Sequence, residues 1–342
     1  MTDTKAVRFN ALWLCLVGTL VLTLIVSLSV GRYSVPVEHV LGILLSKVLP
    51  MEAVWTSTEQ RVVELIRLPR ILLAAVCGAG LAVAGAALQG IFRNPLVGPQ
   101  ILGVTSGAAF GGALAILLSE SATMLIGLAF LFGLSAMGIV YILSMTRGRS
   151  QTLVLVLSGI VVSALFTALV SLVKFVADPD DKLPAIVFWL MGSFAAASNA
   201  KLYFVAPVIV GGSILVYALR FRINVLSLGD EEARSLGIHV EVIRWTVFCA
   251  VALVSSAVVA AAGIVGWVGL VIPHIARFFT GPDHSRLIPA AALIGAIYLV
   301  IVDDVARTVA PAEIPIGILT ALIGAPVFAL LLRRAYTAWT RD

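Results

Sequence analysis

Blocks of about 20 consecutive apolar residues recur along this chain from end to end, and no other feature limits its folds so severely. A helix rises 1.5 Å per residue, so each block is long enough to cross the roughly 30 Å hydrocarbon core of a bilayer. Hydrophobic residues make up 61% of the 342 and charged residues only 12%. Soluble domains hold roughly 45–50% and about 25% respectively. The expected class is an all-α, polytopic membrane protein, with one transmembrane domain over 1–342 and no separate soluble part.

Ten spanning segments fit. The first, about 11–31, follows Lys5 and Arg8 as a signal peptide follows its basic region. It is too long for a typical signal core and no small-x-small cleavage site follows, so it reads as a retained helix. The second opens at Pro69, a residue suited to a first helical position, and runs to Phe92 after a polar outer loop. The others are expected near 101–118, 122–145, 152–176, 203–219, 245–262, 264–279, 288–307 and 315–332. Leu183 to Phe194 is too short to span, and the stretch DPDDKLPAIVFWLMGSF that contains it is either a selective element on the outer side or an interfacial helix anchored by Trp189. With the N-terminus inside, 14 of the 23 basic residues fall on the inner side and 11 of the 18 acidic residues on the outer. The positive-inside rule therefore favours ten helices with both termini cytoplasmic.

The run GAGLAVAGAALQG from Gly78 to Gly90 looks superficially like a dinucleotide fingerprint. It lies inside a spanning block with no strand before it, so close helix packing is the reading adopted. Cys15, Cys77 and Cys249 are far apart in apolar blocks, and the four histidines lack ligand spacing, so no metal site is expected.

The longest polar insert between two apolar blocks is Leu226 to Ile238, within a loop of about 220–244. Gly229 breaks the chain, Asp230 can cap a short helix, and Glu231 and Glu232 suit its positive end. Arg234 follows, and Gly237 can close the helix in left-handed conformation. Such a helix is either a handle for a partner or an ordinary solvated loop.

Ionisable groups are scarce at membrane depth. Lys174, Asp303, Asp304 and Arg307 all lie near segment ends, and Arg307 follows the two aspartates at helical spacing, so a helix brings it to both. An ion-coupled carrier needs such groups near the midplane, and a membrane-embedded enzyme needs facing catalytic groups, so neither class is favoured. No GxxxxGK[ST] nucleotide-binding motif occurs either, which places the energy source on a separate ATPase.

Six stretches, in order, resemble the FecCD-type permeases, the membrane subunits of ABC importers for iron–siderophore complexes, haem and cobalamin. They are RLPR at 67–70, GAALQGIFRNPLVGPQILGVTSGA at 85–108, LGDEEARSLGI at 228–238, GWVGLVIPHIAR at 266–277, GPDHSRLIP at 281–289 and EIPIGILTALIGAPVFALLL at 313–332. The resemblance implies the type II importer permease fold in the inner membrane. It implies a homodimer, two ATPase subunits that carry the ATP and magnesium and grip Gly229–Gly237, and a periplasmic binding protein on the outer face. No cofactor would be bound by this chain itself, and nucleic acid is no partner. Arg67, Arg70 and Arg307 match arginines that meet acidic residues of the binding protein; for Arg67 and Arg70 docking is the reading adopted over interfacial snorkelling with local pairing, whereas Asp303 and Asp304 can hold Arg307 within its own helix. Asn94, Leu96, Gln151 and Thr152 match an inner gate, although Asn94–Pro95 is also simply a good turn. The expected cargo is a ferric siderophore, with haem, cobalamin and molybdate as alternatives.

Overall fold

The computed structural model describes residues 2–50, 52–146, 149–150 and 152–339. Among them seven helices are long and apolar enough to cross a membrane, and three shorter apolar helices complete the bundle. Helices suit this setting because each satisfies its own backbone polar groups where no water can.

The chain runs through α1 (Thr2–Ser29), α2 (Val37–Leu45) and α3 (Ser57–Arg61), and a π-helical turn at Val62–Arg67 leads into α4 (Leu68–Phe92). A 3₁₀ turn at Pro99–Leu102 precedes α5 (Val104–Leu118), followed by α6 (Ala122–Ser144), α7 (Thr152–Val176) and the short α8 (Lys182–Leu190). Next come α9 (Asn199–Ala218), α10 (Arg220–Leu226), α11 (Asp230–Ser235) and α12 (Val240–Ala262). Then follow α13 (Val268–Thr280), α14 (His284–Thr308) and α15 (Ile316–Trp339). A two-residue antiparallel ribbon, Met145–Thr146 against Arg149–Ser150, closes the α6–α7 turn.

The spanning segments follow the hydropathy blocks closely, with one displaced start. The helix that carries the second span begins at Ser57 rather than Pro69. Thr56 and Glu59 form a reciprocal capping box: the Glu59 amide donates to the Thr56 hydroxyl (3.2 Å), and the Thr56 amide donates to the Glu59 carboxylate (2.7 Å). The π-helical turn then accommodates Pro69, whose missing N–H would otherwise interrupt the ladder.

Helices α4 and α12 form the buried centre, while α1, α6, α7 and α9 turn large apolar side chains outward. Helix α4 packs most extensively on α14 and also meets α13, α9 and α12. Its glycines permit this approach. A Cβ on Gly78 would lie 2.1 Å from the Gly295 carbonyl oxygen, and one on Gly295 would lie 2.4 Å from that of Gly78. The small-residue run thus serves backbone contact between helices.

Trp189 is half-buried. Its ring packs into the bundle against Gly112 of α5, where a Cβ would come within 2.0 Å of it. The turn after α8 is stitched to two spans: the Ser193 amide donates to Ala262 O (2.9 Å), and the Ile316 and Gly317 amides donate to Gly192 O (2.9 Å) and Met191 O (3.0 Å).

Candidate functional site

The insert folds as two short helices in the α9–α12 connection. Gly229 occupies the N-cap position of α11, and a side chain there would run into the Glu232 carboxylate. Asp230 does not cap the helix. Its carboxylate accepts two bonds from Arg244 Nη2 (2.7 and 2.8 Å), while Arg244 Nη1 reaches Glu241 (3.1 Å). The side chain of Arg244 is only 1% exposed, so this tie pins α11 to the first turns of α12. Buried Ala233 seats the helix from beneath. Gly237, at φ +77°, ends it: its amide donates to Arg234 O (2.9 Å) and the Ile238 amide to Ala233 O (3.0 Å). That is the double bond pattern of a Schellman close. Glu231, Glu232, Arg234 and Leu236 are left on the exposed side.

A second tie joins the insert to the spans. Asn224 of α10 donates through Nδ2 to Asp283 Oδ1 (2.6 Å), while its own Oδ1 accepts from the His284 amide (2.9 Å) and lies 2.7 Å from His284 Nδ1. Asp283 also caps α14 by accepting from the Ser285 amide (2.9 Å). These donors, the Ser285 amide foremost, hold the Asp283 carboxyl below its ordinary range. Gln89 near the end of α4 donates to Leu270 O and accepts from Arg277, both at 3.1 Å, so α4 and α13 are joined nearby. The insert is thus hydrogen-bonded directly to the first turn of α14. Nothing local in the sequence distinguishes Asn224 from a polar loop residue.

At the opposite end of the bundle the three matched arginines turn inward. Arg67 donates to the carbonyls of Leu28 (2.6 Å), Ser29 (3.0 Å) and Tyr33. Arg70 grips two carboxylates, Asp303 (2.8–3.2 Å) and Glu313 (2.9 Å through each of two nitrogens). Burial pushes the Glu313 carboxyl up, but the Arg70 guanidinium outweighs it and holds the group below the usual range. Arg307 takes Asp304 and the carbonyl and hydroxyl of Ser27 on α1 (2.6 and 3.0 Å). Arg307 thus reaches only one of the two aspartates. Consecutive helical residues point about 100° apart, so Asp303 faces α4 while Asp304 faces α1. All three arginines are buried, with 4, 7 and 6% of their surface exposed.

The matched gate residues divide. Asn94 sits in the turn after α4, where its side-chain oxygen accepts from the Leu96 amide (2.9 Å). Exposed Leu96 lines a cavity of about 370 Å³ with Gln100, Ile101, Ile160, Ser163, Trp267 and Leu270, among others. Thr152 begins α7, and Gln151 lies outside the described residues. Trp267 also borders a second cavity of about 460 Å³, lined by Met191, Ile264, Gly317, Ile318 and Leu322 among others. It holds φ +68°, a strained conformation for a bulky residue. Among the described residues no charged side chain lines either cavity. Trp267 lies within the GWVGLVIPHIAR stretch, where an aromatic residue in an apolar block carries no local signal of strain.

The FecCD transport family model matches residues 19–334. The molybdate import system permease MolB of Haemophilus influenzae is 47% identical over 314 residues, covering 92% of each chain. The cobalamin import system permease BtuC of Halobacterium salinarum is 41% identical over 287 residues, covering 83% of this chain and 76% of the relative. A solved structure described as an inward-facing conformation of a metal-chelate type ABC transporter superposes with a TM-score of 0.85 at 43% identity, covering 96% of this chain and 99% of the other.

Proposed function

This chain belongs to the FecCD transport family and is a multi-pass ABC permease, and from that premise we propose how it works. It is one half of a permease pair in the inner membrane, with both termini cytoplasmic. Two ATPase subunits beneath it bind and hydrolyse ATP with magnesium, and a periplasmic binding protein delivers cargo to the outer face. The chain itself is a conduit without catalytic residues or cofactor.

The single observation that carries this reading is the insert. Helix α11 exposes Glu231, Glu232, Arg234 and Leu236 on a seat fixed twice to the spans, by Arg244–Asp230 and by Asn224–Asp283–His284. An exposed surface on a rigid mount transmits displacement, whereas a solvated loop would dissipate it. Closure of the ATPases would push α11, and the Asn224 tie would carry the push to α14. Gly229 and Gly237 keep the helix short and set its angle.

The cargo passes the cavities on either side of Trp267. Their uncharged lining suits weak, transient contact with a solute already captured by a tight-binding partner. Leu96 and Thr152 stand at the insert end of this route as the gate, with Gln151 beside Thr152 in sequence and Asn94 fixing the turn that carries Leu96. Arg67, Arg70 and Arg307 contribute to binding-protein docking by bracing the opposite face from below.

Molybdate takes first place as cargo, because the 47% identity to MolB extends over 92% of both chains. Ferric siderophore is the second reading, favoured by cavities of about 370 and 460 Å³ that exceed what a tetrahedral oxyanion needs. Co-reconstitution with the ATPase and binding protein, followed by ATP-dependent uptake of labelled molybdate, ferric siderophore, haem and cobalamin in parallel, tests both. Concentrative uptake by the chain alone would remove the ATPase from the mechanism.

A further inference from the structure

One cavity belongs neither to the insert nor to the Trp267 route. A groove of about 270 Å³ runs between α4, α9 and α14, lined by Val76, Val83, Ile209, Ile214, Tyr217 and Ile288 among others. Val210 and Ile214 on its rim are 44 and 62% exposed, so the groove opens sideways where a membrane protein meets lipid. From Ile209 to Tyr217 it extends on the order of 12 Å at 1.5 Å per residue. Its apolar lining suits a hydrocarbon chain.

Its end nearest the insert is cationic. The Arg220 guanidinium lies 4.3 Å from the Tyr217 ring centroid and 4.4 Å from that of Phe221, and its Nη1 donates to Tyr217 O (3.0 Å). The two rings hold the guanidinium in one position, so little conformational freedom is left to lose on binding an anion. Arg222 lies two residues further on, and Arg286 one helical turn before Pro289, which lines the groove. A guanidinium fork matches phosphate oxygens, and an arginine at a membrane surface attracts anionic headgroups.

We propose that this groove seats one acyl chain of an anionic phospholipid whose phosphate is held by Arg220. A second copy of the chain is the less fitting occupant, since the groove opens sideways towards lipid and ends in positive charge. The lipid would tie the insert end of α9 to α4 and α14 at the point where α10 begins.

Native mass spectrometry of the purified full-length permease with dioleoyl phosphatidylglycerol and dioleoyl phosphatidylethanolamine tests this. Phosphatidylglycerol adducts should outlast the zwitterionic ones by about fivefold, as expected of a single arginine near an anionic headgroup. R220Q should bring that ratio close to one while leaving the melting temperature in lipid-free detergent unchanged. A79F, which fills the groove wall, should remove adducts of both lipids. Millimolar glycerol phosphate should not displace them, because it lacks the chain. Equal retention of the two lipids by the unaltered protein, an unchanged ratio in R220Q, or displacement by glycerol phosphate would overturn the proposal. Conversion of a dimer to a monomer by A79F would assign the groove to a second copy and overturn it as well. Should A79F fail to fold, R220Q decides alone.

Discussion

Replacing Arg70 with methionine keeps most of the side-chain stem and removes the charge that two carboxylates share. The larger loss is at Asp303, whose side chain is 1% exposed and would be left as a buried, unpaired anion. Breaking a pair so buried costs about 3–5 kcal/mol. The Glu313 arm is worth less, about 1 kcal/mol, because that carboxylate is 26% exposed and can turn to water. R70M should therefore lower the melting temperature by on the order of 10 °C, using about 2–4 °C per kcal/mol for large domains. E313Q should lower it only slightly. The double variant R70M/D303L, which removes both charges, should recover most of the loss. The assay is thermal unfolding of purified protein in nanodiscs at fixed scan rate, with binding-protein association measured on the same samples. An R70M protein that melts normally yet no longer binds the binding protein would refute the reasoning. It would mean that Arg70 presents its charge outward instead of spending it on Asp303.

Three further outcomes follow from the packing and the insert. G78A should destabilise by about 1–3 kcal/mol by forcing α4 off the Gly295 carbonyl, read as a lower melting temperature; an unchanged one would place the helices further apart. At Gly237 no atom lies within 4 Å of an added Cβ, so only φ +77° opposes substitution. G237V should then cost about 1–2 kcal/mol locally and reduce ATPase co-purification, while G237N, which tolerates that conformation, should keep it. Asp283 has a folded pKa below its ordinary value, so the stability it adds is present above about pH 4 and is lost as pH falls through the lower, folded value. Acid sensitivity of melting in that window should be smaller in D283N, and identical acid curves would detach Asp283 from the clasp.

Much of the scaffold is legible because its causes are local. Block length sets the spans, Gly237 marks the end of α11, and the glycines of 78–90 announce close packing without naming the helix they meet. The capping box at Thr56 and Glu59 was also local, and it was missed only because polar residues before Pro69 suggested a loop. Trp189 is ambiguous for a different reason: an aromatic at the end of a short helix suits an interface and a packed contact equally well. Which one it makes depends on the glycine opposite, on another helix.

A bundle of membrane-crossing helices with one polar insert is written into the chain locally, because hydropathy and capping act over a few residues. The roles of the charged residues are set by the fold. Arg70 and Asp303 stand 233 positions apart, and Asn224 and His284 stand 60 apart. Neither pair leaves a mark on its own neighbourhood, because the energy of a buried charge is set by whatever the fold brings against it.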